Sequence, residues 1–166
     1  RPRIGMIGNL NDRVDWELIG RLARERPDWT LSIVGPVYSA GDETRSAIRR
    51  LELMPNIRFL GAVAQNEIPA TIAAFDVCLI PYRMSAAVER INPLKLYQYL
   101  AAGKPVVSTA IPTVERFGDV VAWCQSHDEF AAAVVSALAV GEDPARCEAR
   151  RRAGRAPHAS NAAHVR

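Results

Sequence analysis

The stretch Asn92–Thr109, NPLKLYQYLAAGKPVVST, decides how the chain reads. Asn92 is a residue type that caps helix starts, and Pro93 suits the first helical position, where its missing N–H removes nothing. Gly103 stands where a left-handed residue closes a helix, and Pro105 prevents continuation. The spacing predicts a helix over Pro93–Ala102 and then a strand over Pro105–Thr109 (PVVST). The apolar run Val77–Pro81 (VCLIP) predicts a buried strand ahead of that helix.

Outward from this unit the same alternation continues. Arg3–Gly8 (RIGMIG), Trp29–Val34 (WTLSIV), Ile57–Leu60 (IRFL) and Val120–Cys124 (VVAWC) read as further strands. Val14, Leu18, Ile19 and Leu22 recur at helical spacing until Pro27, with Asp12 as the expected cap of that helix. Residues 43–53 and 68–75 read as helices. Ser126 with Glu129 three residues later is a capping box, opening a helix through Leu138. The strands are apolar on both faces, which marks a parallel sheet covered by helices on both sides. The expectation is an α/β fold with a sheet of about six strands. Ligands in such sheets bind beyond the carboxyl ends of the strands.

The chain has 166 residues, 49% hydrophobic and 23% charged, which suits one globular domain rather than a disordered segment. No apolar run approaches the roughly 17–25 residues of a spanning helix. The start lacks a signal-peptide pattern, and Arg1 in place of Met suggests a piece of a longer protein. Residues 1–141 carry 15 basic and 15 acidic side chains, so the net +3 lies in residues 142–166. The body therefore lacks the basic bias expected of a nucleic-acid partner. The chain is divided accordingly into a domain over 3–141 and a basic tail over 142–166, helical to about Arg152 and mobile beyond. Arg150–Arg152 reads as a solvated helix face, with weak contact to anionic lipid as a second reading. Cys78, Cys124 and Cys147 form no C-x-x-C and predict neither zinc nor a redox motif.

The helix start at Asn92 is the centre of the functional reading. Free N–H groups and the positive dipole end make a helix start at a strand edge an anion site. Lys95 adds a charge in the first turn. Asn92, Lys95 and Gln98 share one face, and Leu94, Tyr97 and Leu100–Ala101 are expected on the packing side. A solvated polar stripe is the alternative reading of that face. Arg13 and Arg83, after the first and fourth strands, are each readable as phosphate contacts or as surface. His127 is read as part of a capping turn, and Trp16, Trp29 and Trp123 as packing anchors.

The run NPLKLYQYLAAGKPVVST resembles the donor-binding helix of GT-B glycosyltransferases, in a bacterial variant with the pattern N-P-L-K-x-Y-E-Y-L-A-A-G-K-P-V-V. The opening RIGMIGNLNDRVDWELIGRLARERPDWTLSIVGPV and the middle NIRFLGAVAQNEIPATIAAFDVCLIPYR are similar to the same group. The resemblance covers Arg3 to His127 and matches the C-terminal of two facing Rossmann-like domains. It implies a nucleotide-sugar donor and a missing N-terminal acceptor domain as partner. It also implies metal independence and no cofactor beyond the donor substrate. The three cysteines without a secretion signal suggest a cytoplasmic protein, and the Arg-rich tail a peripheral contact at the membrane face as a further option. By resemblance Gly8 lets the backbone approach the donor phosphates, and Val63 sits beside the base. Asn92, Pro93, Leu94 and Lys95 hold the pyrophosphate, with Lys95 as the candidate leaving-group stabiliser. Gln98 stands where the family usually has a glutamate on the ribose hydroxyls, and Arg90, beside Glu89, where it has a second glutamate.

The reading that follows is the donor-binding half of a transferase moving a sugar from a nucleoside diphosphate to an acceptor hydroxyl. A non-catalytic nucleotide- or partner-binding module is the alternative, and a nucleotide-sugar epimerase of the same fold a weaker one. A dinucleotide oxidoreductase is disfavoured because Gly8 is followed by Asn9, Leu10, Asn11, Asp12 and Arg13, not by G-x-x-G.

Overall fold

A computed structural model describes residues 1–155. Six strands, β1 (Arg3–Ile7), β2 (Thr30–Val34), β3 (Ile57–Gly61), β4 (Val77–Ile80), β5 (Val106–Thr109) and β6 (Val121–Cys124), form one sheet in the order β3-β2-β1-β4-β5-β6. Every pairing is parallel. All residues of β4 and β5 are buried, which is why their sequences carry no polar alternation.

Helices cover both faces. On one side α1 (Trp16–Glu25), α2 (Asp42–Leu51) and α7 (His127–Val140) enclose Leu18, Ile19, Leu22, Trp29, Ile48 and Phe130. On the other, α3 (Ile68–Ala73), α5 (Leu94–Ala101) and α6 (Pro112–Glu115) enclose Ile72, Leu96, Tyr99, Leu100 and Val114. The short helix α4 (Ala86–Glu89) and α6 were not expected; each is a single turn, too short to show a helical period.

Three expectations are corrected. The cap of α1 is Asp15, whose carboxylate accepts from the Leu18 N–H at 3.0 Å, not Asp12. Val14 is fully buried and bridges to Tyr82, so the helix begins only after it. Asp12 instead accepts from the Gly41 N–H at 3.0 Å. Bonding to Thr44 and to that N–H holds its carboxyl below the usual range.

The cap of α5 is Pro93, one residue later than expected for Asn92. The Asn92 carboxamide oxygen is occupied by the Tyr97 hydroxyl at 3.0 Å, and Tyr97 in turn accepts from Arg116 at 3.0 Å. The far end of α5 closes as expected. Gly103 has φ +72°, its N–H reaches the Leu100 carbonyl at 2.9 Å, and the Lys104 N–H reaches that of Tyr99 at 3.1 Å. This is the double bond of a Schellman closure.

The third correction is Arg150. Helix α8 (Pro144–Arg155) packs across α5 with Gly154 against Leu100 and Ala101. Arg150 is buried in that contact and donates to the Gly103 carbonyl at 3.2 Å. Arg151 and Arg152 remain exposed. The rest of the segment expected to be mobile lies outside the described residues. Ser126 and Glu129 cap α7 as expected, and His127 Nε2 lies 2.7 Å from Asp15 Oδ2, tying α7 to the start of α1. Trp16 and Trp29 are buried anchors, and Trp123 donates to the Ile111 carbonyl at 2.9 Å. No helix among the described residues is long and apolar enough to cross a membrane.

Candidate functional site

The strand order reverses between β1 and β4. At such a switch point the connections leave on opposite sides and a crevice opens beyond the strand ends. Here the two strands pair at Ile4–Val77 and Gly5–Cys78, while β1 stays paired to β2 as far as Ile7–Val34. The Tyr99 hydroxyl enters between them. It accepts from the Ile7 N–H at 2.9 Å and donates to the Leu79 carbonyl at 3.2 Å, fully buried.

The end of β1 lies at this switch point. Gly8 has φ +146°, a conformation that side chains rarely adopt, and its N–H donates to the Val34 carbonyl at 2.9 Å. A Cβ placed on Gly8 would lie 2.5 Å from Lys95 Nζ. Gly35, at the end of β2, lies equally close to the Gly8 backbone: a Cβ there would fall 1.8 Å from the Gly8 carbonyl oxygen. Both positions accept only hydrogen because two backbones and one ammonium converge on the same few ångströms.

Lys95 rises from the first turn of α5 into this convergence. It is 9% exposed, and its Nζ has no hydrogen-bond partner among the described residues. It sits over the Tyr82 ring, with the centroid 4.7 Å from Nζ. Burial alone pushes the ammonium down to about 7. Tyr82 is positioned by its own N–H, which donates to Thr109 Oγ1 at 3.1 Å, and burial raises its hydroxyl. An anion placed at Gly8 would meet a cation that has no counter-charge among the described residues, at a depth where water screens little.

The expected site residues divide into those brought together here and those held apart. Gly8 and Lys95 converge, and Pro93 is buried at the helix start. Val63 is half-buried beyond β3 and packs on the cluster that contains Ile7 and Val34. Gln98 is half-buried, one helical turn beyond Lys95. Leu94 was expected on the packing side but is 76% exposed, whereas Leu96, Tyr99 and Leu100 are buried. The solvated-stripe reading fails for Lys95 and holds for Asn92, which is exposed and bound to Tyr97. Arg83 is exposed, donates its N–H to the Arg13 carbonyl at 2.7 Å, and lines the cleft between α1 and α2. Glu89 and Arg90 are both exposed at the end of α4. Tyr82 and Tyr99 were missed; Tyr99 follows Lys95 by four residues, the spacing that stacks two side chains on one helix face. A cavity of about 610 Å³ between α7, α8 and the starts of β5 and β6 lies at the opposite edge of the sheet, away from these groups.

Comparison with known proteins gives one family. The family model for Glycosyl transferases group 1 matches residues 1–140. TuaH of Bacillus subtilis (strain 168), named as a teichuronic acid biosynthesis glycosyltransferase, is 35% identical over 113 residues, 68% of this chain and 28% of its own length. Among solved structures, a UDP-forming trehalose-phosphate synthase from Burkholderia xenovorans superposes with a TM-score of 0.69 at 16% identity, covering 95% of this chain and 40% of that one. Staphylococcus aureus TarM, solved with UDP, gives 0.65 at 11% identity, covering 92% of this chain and 31% of that one. The likeness to solved structures shows the GT-B kind of Rossmann-like fold, and the chain spans well under half the length of each of these proteins. By the family model and its agreement with the fold, the chain belongs to the group 1 glycosyl transferases.

Proposed function

We propose that residues 3–141 form the donor-binding unit of a glycosyltransferase that moves a sugar from a nucleoside diphosphate to an acceptor hydroxyl. The observation that carries this reading is the buried, unpartnered Lys95 ammonium set against Gly8 at the switch point of the sheet. In the transfer, the bond from the anomeric carbon to the diphosphate breaks and a bond from that carbon to the acceptor oxygen forms. The diphosphate leaves with the electron pair, and the acceptor hydroxyl loses its proton. Lys95 and the N–H groups at the start of α5 would stabilise the charge that develops on the leaving diphosphate. The acceptor would enter from a second domain facing the crevice, in keeping with relatives of much greater length.

Calorimetry of the chain against UDP, GDP, ADP and dTDP tests the reading, with UDP first because two similar structures are described with it. Binding of one diphosphate, without sugar transfer by the chain alone, is the expected result. Failure to bind any of them would contradict it. A second reading, a non-catalytic nucleotide-binding module, draws on Gln98 and Arg90 in place of the family glutamates. Sugar transfer by the full gene product would exclude that second reading.

A further inference from the structure

We infer that Tyr99 is the positioning residue of this site: its hydroxyl holds β1 and β4 apart and fixes α5 in the register that sets Lys95 over Gly8. The inference rests on the donor-site reading above. The pairing of Ile4 with Val77 and Gly5 with Cys78 would, if continued, face Ile7 with Ile80. In a regular parallel ladder the Ile7 N–H would then bond directly to the Leu79 carbonyl. These are the two groups that Tyr99 bridges, at 2.9 Å and 3.2 Å. One hydroxyl thus stands in place of one ladder bond. The backbone groups stay satisfied, so the strands can part without leaving buried polar atoms unpaired.

The second consequence is registration. Tyr99 and Lys95 are four residues apart and stack on one face of α5. Ile7 and Gly8 are consecutive at the end of β1. Tyr99 bonds the first, and Lys95 reaches the second. A slide of α5 along the sheet would therefore move Nζ off Gly8 by the same distance. Tyr99 does not touch the proposed ligand position; it acts through Lys95. Its phenol is fully buried, and burial raises it well above the ordinary tyrosine value, so it stays a neutral donor. The side of α5 that packs on α8 is held separately by Gly154 and Arg150.

Tyr99→Phe removes the hydroxyl and keeps the ring. The chain and its variant are titrated with UDP and uridine, or with the tightest-binding diphosphate of the panel and its nucleoside. Misplacement of a binding group on the ångström scale costs from about tenfold upward, so the variant should lose about tenfold for the diphosphate and less than about twofold for the nucleoside. Val134→Ala, a buried change on α7, supplies a variant of lowered Tm and should leave the diphosphate affinity as it is. Equal losses for both ligands, or a matching loss in Val134→Ala, would show a merely structural role and overturn the inference. A wild-type chain that binds no diphosphate would instead overturn the donor-site reading. Where Tyr99→Phe fails to fold, amide exchange in the wild type decides. The Ile7 N–H should be protected to the level of the Gly5 N–H, and rapid exchange at Ile7 would contradict the bridge.

Discussion

Lys95 Nζ occupies the space that a side chain on Gly8 would need, 2.5 Å from where its Cβ would stand. The two residues are 87 positions apart in sequence; Gly8 follows β1, and Lys95 lies on α5 between β4 and β5. Gly8→Ala should therefore act twice. The backbone at φ +146° is strained for alanine, at a typical cost of about 1–3 kcal/mol. The methyl also displaces the ammonium. Urea denaturation should show lower stability, and calorimetry a weaker diphosphate affinity than the stability loss explains at ligand saturation.

The buried Lys95 ammonium makes the stability of the chain depend on pH. Lys95 has a folded value lowered to about 7, while the unfolded chain has an ordinary lysine. Between about 7 and 10 the unfolded state binds one more proton, so stability rises with pH across that window, by up to about 1.4 kcal/mol per pH unit. Below about 7 the ammonium is charged in both states and the burial penalty is full. Lys95→Met should thus raise Tm at pH 6 and lose that advantage by pH 9–10. A pH-independent difference in Tm would mean that the ammonium is solvated in the native chain.

The third prediction concerns Gln98, which an amide limits to one acceptor and one pair of donors. Gln98→Glu supplies two acceptors and a charge. If its side chain meets the ribose, the affinity gap between a ribonucleoside and its 2′,3′-dideoxy analogue should widen by about 1 kcal/mol, the scale of one bond gaining a charged partner. An unchanged gap, with circular dichroism intact, would remove Gln98 from the ribose site.

The fourth addresses the brace behind the donor helix. Arg150→Ala leaves the Gly103 carbonyl without its partner and opens the packing of α8 on α5. An unsatisfied buried acceptor costs about 1–3 kcal/mol, and the urea midpoint should fall accordingly. Arg152→Ala, exposed on the same helix, should change it little.

The sheet was legible because each strand is a short apolar run closed by glycine, proline or a polar turn. The ends of α5 were legible only in part. Gly103 follows from chain geometry, which any local reading captures. The N-cap does not, because Asn92 has two uses for its oxygen and the Tyr97–Arg116 chain takes it. Likewise Asp12 and Asp15 are equally good caps by type, and the burial of Val14 between them decides. Its first-turn position and the resemblance both place Lys95 in the site, but its burial was hidden. A charged residue reads as exposed, and the helical period put Leu94 inward. α5 is buried on two sides, by the sheet and by α8, so its buried arc takes in Lys95 beside Leu96 and Tyr99.

The central claim is that a buried, uncompensated Lys95 receives the diphosphate, and the sequence permits a direct measurement. The chain has two lysines, Lys95 and Lys104, so labelling lysine with ¹³C at Cε gives a spectrum of two signals, assigned by Lys95→Met. Without ligand, the Lys95 signal should titrate near 7. With saturating diphosphate, the anion supplies a counter-charge, and the same signal should titrate well above its ligand-free position, with proton uptake on binding at pH 8. A Lys95 signal that titrates as an ordinary lysine without ligand, and does not move when the diphosphate binds, would contradict the account.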